Sequence, residues 1–196
     1  MKIVYIHGAT ASERSFAFIQ KSLKAKNPIY LNYEKDGTAG GNLSTMINDL
    51  SMHKEPLFIV AHSLGGIYAV YLQKEIENVT GVVSLASPFN GSEIATWGAM
   101  LNPNYQLFRD ITPHSHFIKD SRKIPITVPW LQVVTTVGDV PWIMGDNDGI
   151  VTKSSMTCRE DIEYEEVSRN HYEIVLSKRV IDIIKKRIPK VVDFSA

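Results

Sequence analysis

Ser63 stands in the run Ala61-His62-Ser63-Leu64-Gly65-Gly66, fed by the apolar stretch Leu57-Phe58-Ile59-Val60 and followed by a helical pattern. A serine between a strand and a helix, with small residues two before and two after it, meets the steric demand of a nucleophile elbow, where the chain folds sharply back on itself. Ala61 and Gly65 are those small residues, Ala standing where the commoner pattern has Gly. Such a turn aims the hydroxyl out of the sheet edge. It also leaves the N–H of Leu64 at a helix N-terminus, where it can stabilise an oxyanion. A chance Ser-x-Gly-Gly turn looks the same locally, so the partners decide.

A serine hydroxyl is a weak nucleophile at neutral pH and needs a base to take its proton, the task of a histidine held by a carboxylate. Of 6 histidines, His171 follows the alternating stretch Ile162 to Val167 at a strand's C-terminal end, and it is the candidate base. His53 ends a helical pattern, and His114 and His116 sit in a Pro-containing stretch, so they lack that location. His7 and His62 lie at the correct edge but beside the oxyanion turn and the nucleophile, where supporting the loops by hydrogen bonds suits them better. Asp139, Asp146 and Asp148 all follow the β-branched run Val133 to Val137. Asp148 is preferred as the acid because Gly149 permits a tight turn and Ile150-Val151 can anchor the loop; Asp146 is the runner-up in a turn-prone segment. His7-Gly8-Ala9 closes the apolar run Ile3-Val4-Tyr5-Ile6, and the N–H of Ala9 is the candidate second oxyanion donor.

These residues meet only if strand ends share one edge of a parallel sheet. Strand patterns fall at 2–6, 28–33, 57–62, 80–86, 130–137 and 162–167, and helical patterns at about 14–26, 42–53, 64–77 and 171–188. The alternation predicts an α/β fold, a six-stranded mostly parallel sheet with helices on both faces. With 196 residues, 44% of them hydrophobic, the chain suits a single domain. The stretch 91–129 breaks the rhythm. Its apolar residues have no clear period, which suits either a short helical excursion over the site or an ordinary surface crossover.

In this order, His7-Gly8, the elbow at Ser63, Ser87-Pro88-Phe89-Asn90-Gly91-Ser92, Asp148-Gly149-Ile150-Val151 and His171 make a chain that resembles a small α/β-hydrolase over almost its full length. It is similar to the compact bacterial lipases with an Ala-His-Ser-x-Gly-Gly elbow and to lipase-like hydrolases with an Asp-Gly-x-Val acid loop. The resemblance implies a minimal α/β-hydrolase fold and cleavage of carboxylic esters through an acyl-enzyme on Ser63. The same triad serves a thioesterase or amidase, and a catalytically silent binding module on this fold is the reading from another class. Relatives often carry His where Phe89 stands, a departure that leaves the triad untouched. As an excursion, 91–129 would line an acyl pocket with Trp97, Met100, Leu101 or Phe117, closed on the other side by Trp142. Its charges, Arg109, Asp110, Lys119, Asp120, Arg122 and Lys123, suit soluble short- to medium-chain esters better than an oil surface.

No cofactor is expected. The chain has no Walker loop, no Gly-x-Gly-x-x-Gly after the first strand and no paired cysteines for zinc, and a calcium loop aligned on Asp146 and Asp148 puts Met144 and Ser155 at ligand positions. Lys plus Arg equals Asp plus Glu at 21 each, so nothing draws the chain to nucleic acid or an anionic membrane, and no apolar run approaches the ~20 residues of a membrane span. The expected partner is a small-molecule ester. Cys158 has no cysteine to pair with and Met1-Lys2-Ile3 opens directly in a strand, which predicts the cytoplasm. The acidic run Glu160 to Glu166 is expected to balance the basic face of the last helix.

Overall fold

Successive residues of a strand point to opposite faces of its sheet, and in β1 (Lys2–Ile6) both sets are apolar: Val4 and Ile6 enter one core cluster, Ile3 and Tyr5 the other. β3 (Leu57–His62) repeats the pattern with Leu57, Ile59 and Ala61 against Phe58 and Val60. Strands of this kind require helices on both sides. The computed structural model, which describes residues 1–102, 105–138, 140, 143 and 145–189, shows that arrangement. Asp139, one of the acid candidates, Trp142 and Met144 lie outside the described residues.

With β2 (Ile29–Leu31), β4 (Val79–Leu85), β5 (Trp130–Thr135) and β6 (Glu163–Val167), the strands form one sheet in the order β2-β1-β3-β4-β5-β6. Every described pairing is parallel, where a mostly parallel sheet was expected. α2 (Ala39–Ser51) and α3 (Leu64–Glu75) cover one face; α1 (Ala17–Leu23) and α8 (Lys178–Arg187) cover the other. The chain runs from β1 outward to β2, then returns to place β3 on the opposite side of β1. That reversal makes the C-terminal ends of β1 and β3 a topological switch point, where crossovers diverge and leave a crevice.

Two regions depart from the sequence pattern. The first helix begins as a 3-10 turn at Glu13–Phe16, and α1 stops at Leu23 because Lys24 adopts a left-handed conformation, φ 53°. The last helical pattern is split into a 3-10 turn at Glu173–Leu176 and α8, separated by Ser177 with extended ψ of 124°. The break frees the segment after His171 to follow the site while α8 packs Val180, Ile181, Ile183 and Ile184 on the sheet. The 91–129 stretch folds as α4 (Glu93–Leu101), α5 (Gln106–Asp110) and α6 (His116–Lys123), and a short α7 (Lys153–Met156) follows the acid loop.

β6 is an edge strand, and its charged side chains discourage pairing with another chain. Glu163 takes a two-pronged ion pair from Arg187 at 3.0 and 2.8 Å, and Lys153 meets Glu166 at 2.6 Å. Part of the acidic run therefore does offset cations of α8 and α7.

Candidate active site

Ser63 occupies the step from β3 into α3 with φ 53° and ψ −124°, a region that costs a side-chain-bearing residue energy and that surrounding packing must enforce. Two close approaches enforce it. A Cβ on Gly65 would lie 2.1 Å from the Ile6 carbonyl oxygen, so α3 reaches β1 only because that residue has no side chain. A Cβ on Gly8 would lie 3.0 Å from Ser63 Cβ, which brings the His7-Gly8-Ala9 turn directly against Ser63. Leu64 is the first residue of α3, so its N–H is among the first-turn donors that have no acceptor within the helix. Ala9 lines the same cavity as Ser63.

The other two members come from the far side of β4. The Asp148 loop leaves β5 and folds on itself through Asn147, whose side chain accepts from Gly149 N at 2.9 Å and donates to the Gly145 carbonyl at 3.0 Å. Asp148 is buried, and both its oxygens are engaged. Oδ1 accepts from the N–H groups of Ile150 and Val151 at 3.0 and 2.8 Å. Oδ2 accepts from the Thr135 hydroxyl at 2.5 Å and faces His171 Nδ1 at 2.7 Å. Burial works against ionisation, but the hydrogen bonds from His171, Thr135 and Val151 outweigh it and hold the carboxyl below its usual range. Because the carboxylate only accepts, His171 Nδ1 carries the proton and Nε2 presents its lone pair. Nε2 lies 3.0 Å from Ser63 Oγ.

The structure thus brings Ser63, His171 and Asp148 into one hydrogen-bonded line, with Ala9 on the wall of the adjoining cavity and Leu64 opening the helix after Ser63. Asp146 is exposed and takes no place in the line. His53, His114 and His116 are likewise elsewhere. His7 Nδ1 donates to the Gly8 carbonyl at 2.9 Å, and its ring stacks on Tyr33 at 4.3 Å. His62 Nε2 lies 2.9 Å from the His171 carbonyl. Both therefore support loops. Thr135 went unnoticed in the sequence; the only signal was a hydroxyl-bearing residue ending a β-branched strand one loop before the acid.

Ser63, His62 and His171 border a cavity of about 540 Å³, within the common range for small-molecule sites of about 300–1,000 Å³. Its apolar wall comes from Ile94, Ala95, Trp97 and Leu101 of α4, Phe108 and Ile111 beyond it, and Ile150, Val151 and Val175 opposite. Of the expected wall residues, Trp97 and Leu101 line the cavity and are also largely exposed at its rim, at 61% and 86%. Met100 is exposed outside the wall. Phe117 is no part of it either: its ring stacks on Tyr71 of α3 at 4.7 Å, and its carbonyl accepts from the Tyr71 hydroxyl at 2.7 Å. The charges of 91–129 sit on α5 and α6, while α4 at the rim carries Glu93 alone. Among the described residues no cluster of three His, Cys, Asp or Glu side chains could hold a metal, and no helix is long and apolar enough to cross a membrane.

No protein-family profile and no curated protein sequence matches the chain. Solved structures do. The mature form of a lipase from Bacillus licheniformis superposes with a TM-score of 0.77 at 17% identity, over 94% of this chain and 90% of that one. The chain has the α/β-hydrolase fold. A metagenomic carboxyl esterase gives a TM-score of 0.73 at 13% identity, covering 89% of this chain and 65% of the esterase. Phospholipase PlaB from Legionella pneumophila gives 0.73 at 10% identity, over 97% of this chain and 60% of its own. At such identities the α/β-hydrolase architecture is what is shared, and the chemistry must be argued from the site.

Burial also makes the site a pH sensor of stability. Enclosure, with His171 nearby, pushes the His62 imidazole down to about 3, and burial lowers His7 in the same direction. Below about 6.5 the unfolded chain binds protons that the folded chain refuses, so stability falls as pH drops from there toward 3. Unfolding free energies from urea titrations should decline between about pH 6.5 and 4.5, by on the order of 1 kcal/mol per pH unit, and His62→Gln should flatten part of the slope. Values independent of pH across that window would contradict the buried neutral state.

Proposed function

We propose that this protein is a serine hydrolase cleaving carboxylic esters of small, soluble molecules through an acyl-enzyme on Ser63. The observation that carries the reading is the line Asp148–His171–Ser63 opening onto an apolar cavity. His171 Nε2 takes the Ser63 proton as Oγ attacks the carbonyl carbon, and Asp148 holds the ring's tautomer and faces the imidazolium. The N–H groups of Ala9 and Leu64 stabilise the tetrahedral oxyanion. Collapse expels the alcohol, which receives its proton from His171. A water then repeats the sequence on the acyl group and releases the acid.

The cavity would take the acyl chain, because its wall is aliphatic and aromatic and starts at the nucleophile. Each methylene buried there adds about 0.8 kcal/mol of transition-state binding, so kcat/KM on nitrophenyl esters should climb about four-fold per methylene from acetate until the wall is filled. Leu101→Asp should cut turnover of the longer esters and spare acetate, since the exposed rim position has little part in folding. The experiment is that ester series on wild type and Leu101→Asp, alongside labelling by a fluorophosphonate. Absence of labelling would sink the serine hydrolase reading. Acetate as the best ester would move the acyl group out of the cavity, and faster cleavage of matched thioesters would turn the enzyme into a thioesterase.

A further inference from the structure

The last residue of β3 is a buried histidine in a strand that is otherwise Leu-Phe-Ile-Val-Ala, a position where an apolar side chain would satisfy the core. Its Nε2 lies 2.9 Å from the carbonyl oxygen of His171. A carbonyl only accepts, so Nε2 carries the proton. Nδ1 is buried with no hydrogen-bond partner among the described residues, and a second proton there would bury an unpaired N–H, so His62 is fixed as one neutral tautomer.

The tethers on His171 explain what this tautomer does. The His171 N–H donates to the Asp148 carbonyl at 3.0 Å, and its Nδ1–H donates to the Asp148 carboxylate. Both tie the base to the loop after β5, which β4 separates from the nucleophile's strand. Among the described hydrogen bonds, that from His62 is the one that ties the backbone of the base to β3, one residue from Ser63. The two imidazole rings also lie 5.0 Å apart, so a neutral ring at His62 leaves no second cation beside the imidazolium that His171 becomes.

We infer that His62 is a positioning residue for proton transfer between Ser63 and His171, its Nε2–H clamping the carbonyl of the base to the strand that carries the nucleophile. The inference rests on the triad reading above. It assigns to His62, acting through the base rather than on the reacting atoms, the task of holding the 3.0 Å reach from Nε2 to Oγ.

The test compares wild type, His62→Phe and His62→Gln by kcat, KM and the rate of fluorophosphonate labelling. Phe fills the space without a donor, whereas Gln keeps an N–H at about the same reach. His62→Phe should lower kcat and labelling together by on the order of 10–100-fold, the scale of an ångström-sized misplacement, with KM unchanged within about two-fold. His62→Gln should recover most of the loss. A folded His62→Phe with wild-type kcat overturns the inference, and so does a folded His62→Gln as impaired as His62→Phe, because packing would then be the cause. Should His62→Phe fail to fold, imidazole nitrogen NMR on the wild-type protein decides: the neutral Nε2–H tautomer at pH 7 supports the clamp, and an Nδ1–H tautomer or an imidazolium refutes it. Activity retained in Ser63→Ala would defeat the triad reading itself, whereas an inactive Ser63→Ala beside an unaffected His62→Phe would defeat only the clamp.

Discussion

Ser63→Ala should yield a folded protein whose ester hydrolysis falls by on the order of a million-fold and whose fluorophosphonate labelling disappears. The side-chain hydrogen bond of the Ser63 hydroxyl runs to His171 Nε2, and the hydroxyl faces the cavity rather than the core, so its removal leaves almost all packing in place. The strained backbone at φ 53° persists, because Gly65 against Ile6 and Gly8 against Ser63 Cβ impose it, and alanine keeps that Cβ. His171→Ala should lose activity on the same scale. The two losses should not add: a base without its nucleophile, or a nucleophile without its base, leaves the same residual catalysis from the oxyanion donors and binding. Kinetics on the two single variants and the double variant, with circular dichroism to confirm folding, make the check. A Ser63→Ala protein that retains most of its activity would remove the elbow from the mechanism.

The parts of this architecture that local chemistry dictates were legible in the sequence. An elbow demands small residues at fixed positions, and a buried parallel strand demands an unbroken apolar run, so β1, β3 and the Ser63 turn followed from residue type alone. What long-range packing dictates was not legible. The last helical pattern gave no warning of the break at Ser177, since its isoleucines keep helical spacing across a point where the chain must serve both the His171 loop and the sheet. The excursion showed no period because α4 buries little beyond Ala95 and turns Trp97 and Leu101 toward the cavity rim, whereas Phe117 leaves the pocket to stack on Tyr71. Thr135 was obscure for a related reason, and so was the partner of His62, which the sequence marked only as a loop support. Each bonds a residue 13 or 109 positions away, and no pattern within a window reports such a contact.

The acid is the member of the proposed triad with a rival in sequence, and the structure makes the contest sharp enough to measure. Asp148→Asn should reduce kcat by on the order of 10⁴-fold, because an amide cannot hold the His171 tautomer that leaves Nε2 free to accept the Ser63 proton. The substitution also meets a site built entirely of donors. The N–H groups of Ile150 and Val151, the Thr135 hydroxyl and His171 Nδ1–H all point at the carboxylate, so the new NH₂ must face at least one of them and some loss of stability accompanies the loss of rate. Asp146→Asn removes a charge from an exposed position whose backbone carbonyl, rather than its side chain, holds Lys153 N at 2.7 Å. Its kcat should stay within about two-fold of wild type and its stability within about 0.5 kcal/mol. Measuring kcat and thermal midpoints for both variants separates the roles, since only a residue bonded to the base should alter the rate so far out of proportion to its effect on folding. The reverse ranking in folded proteins would transfer the acid to Asp146 and require the loop to rearrange in solution, because the Asp148 carboxylate stands 2.7 Å from the ring in the structure.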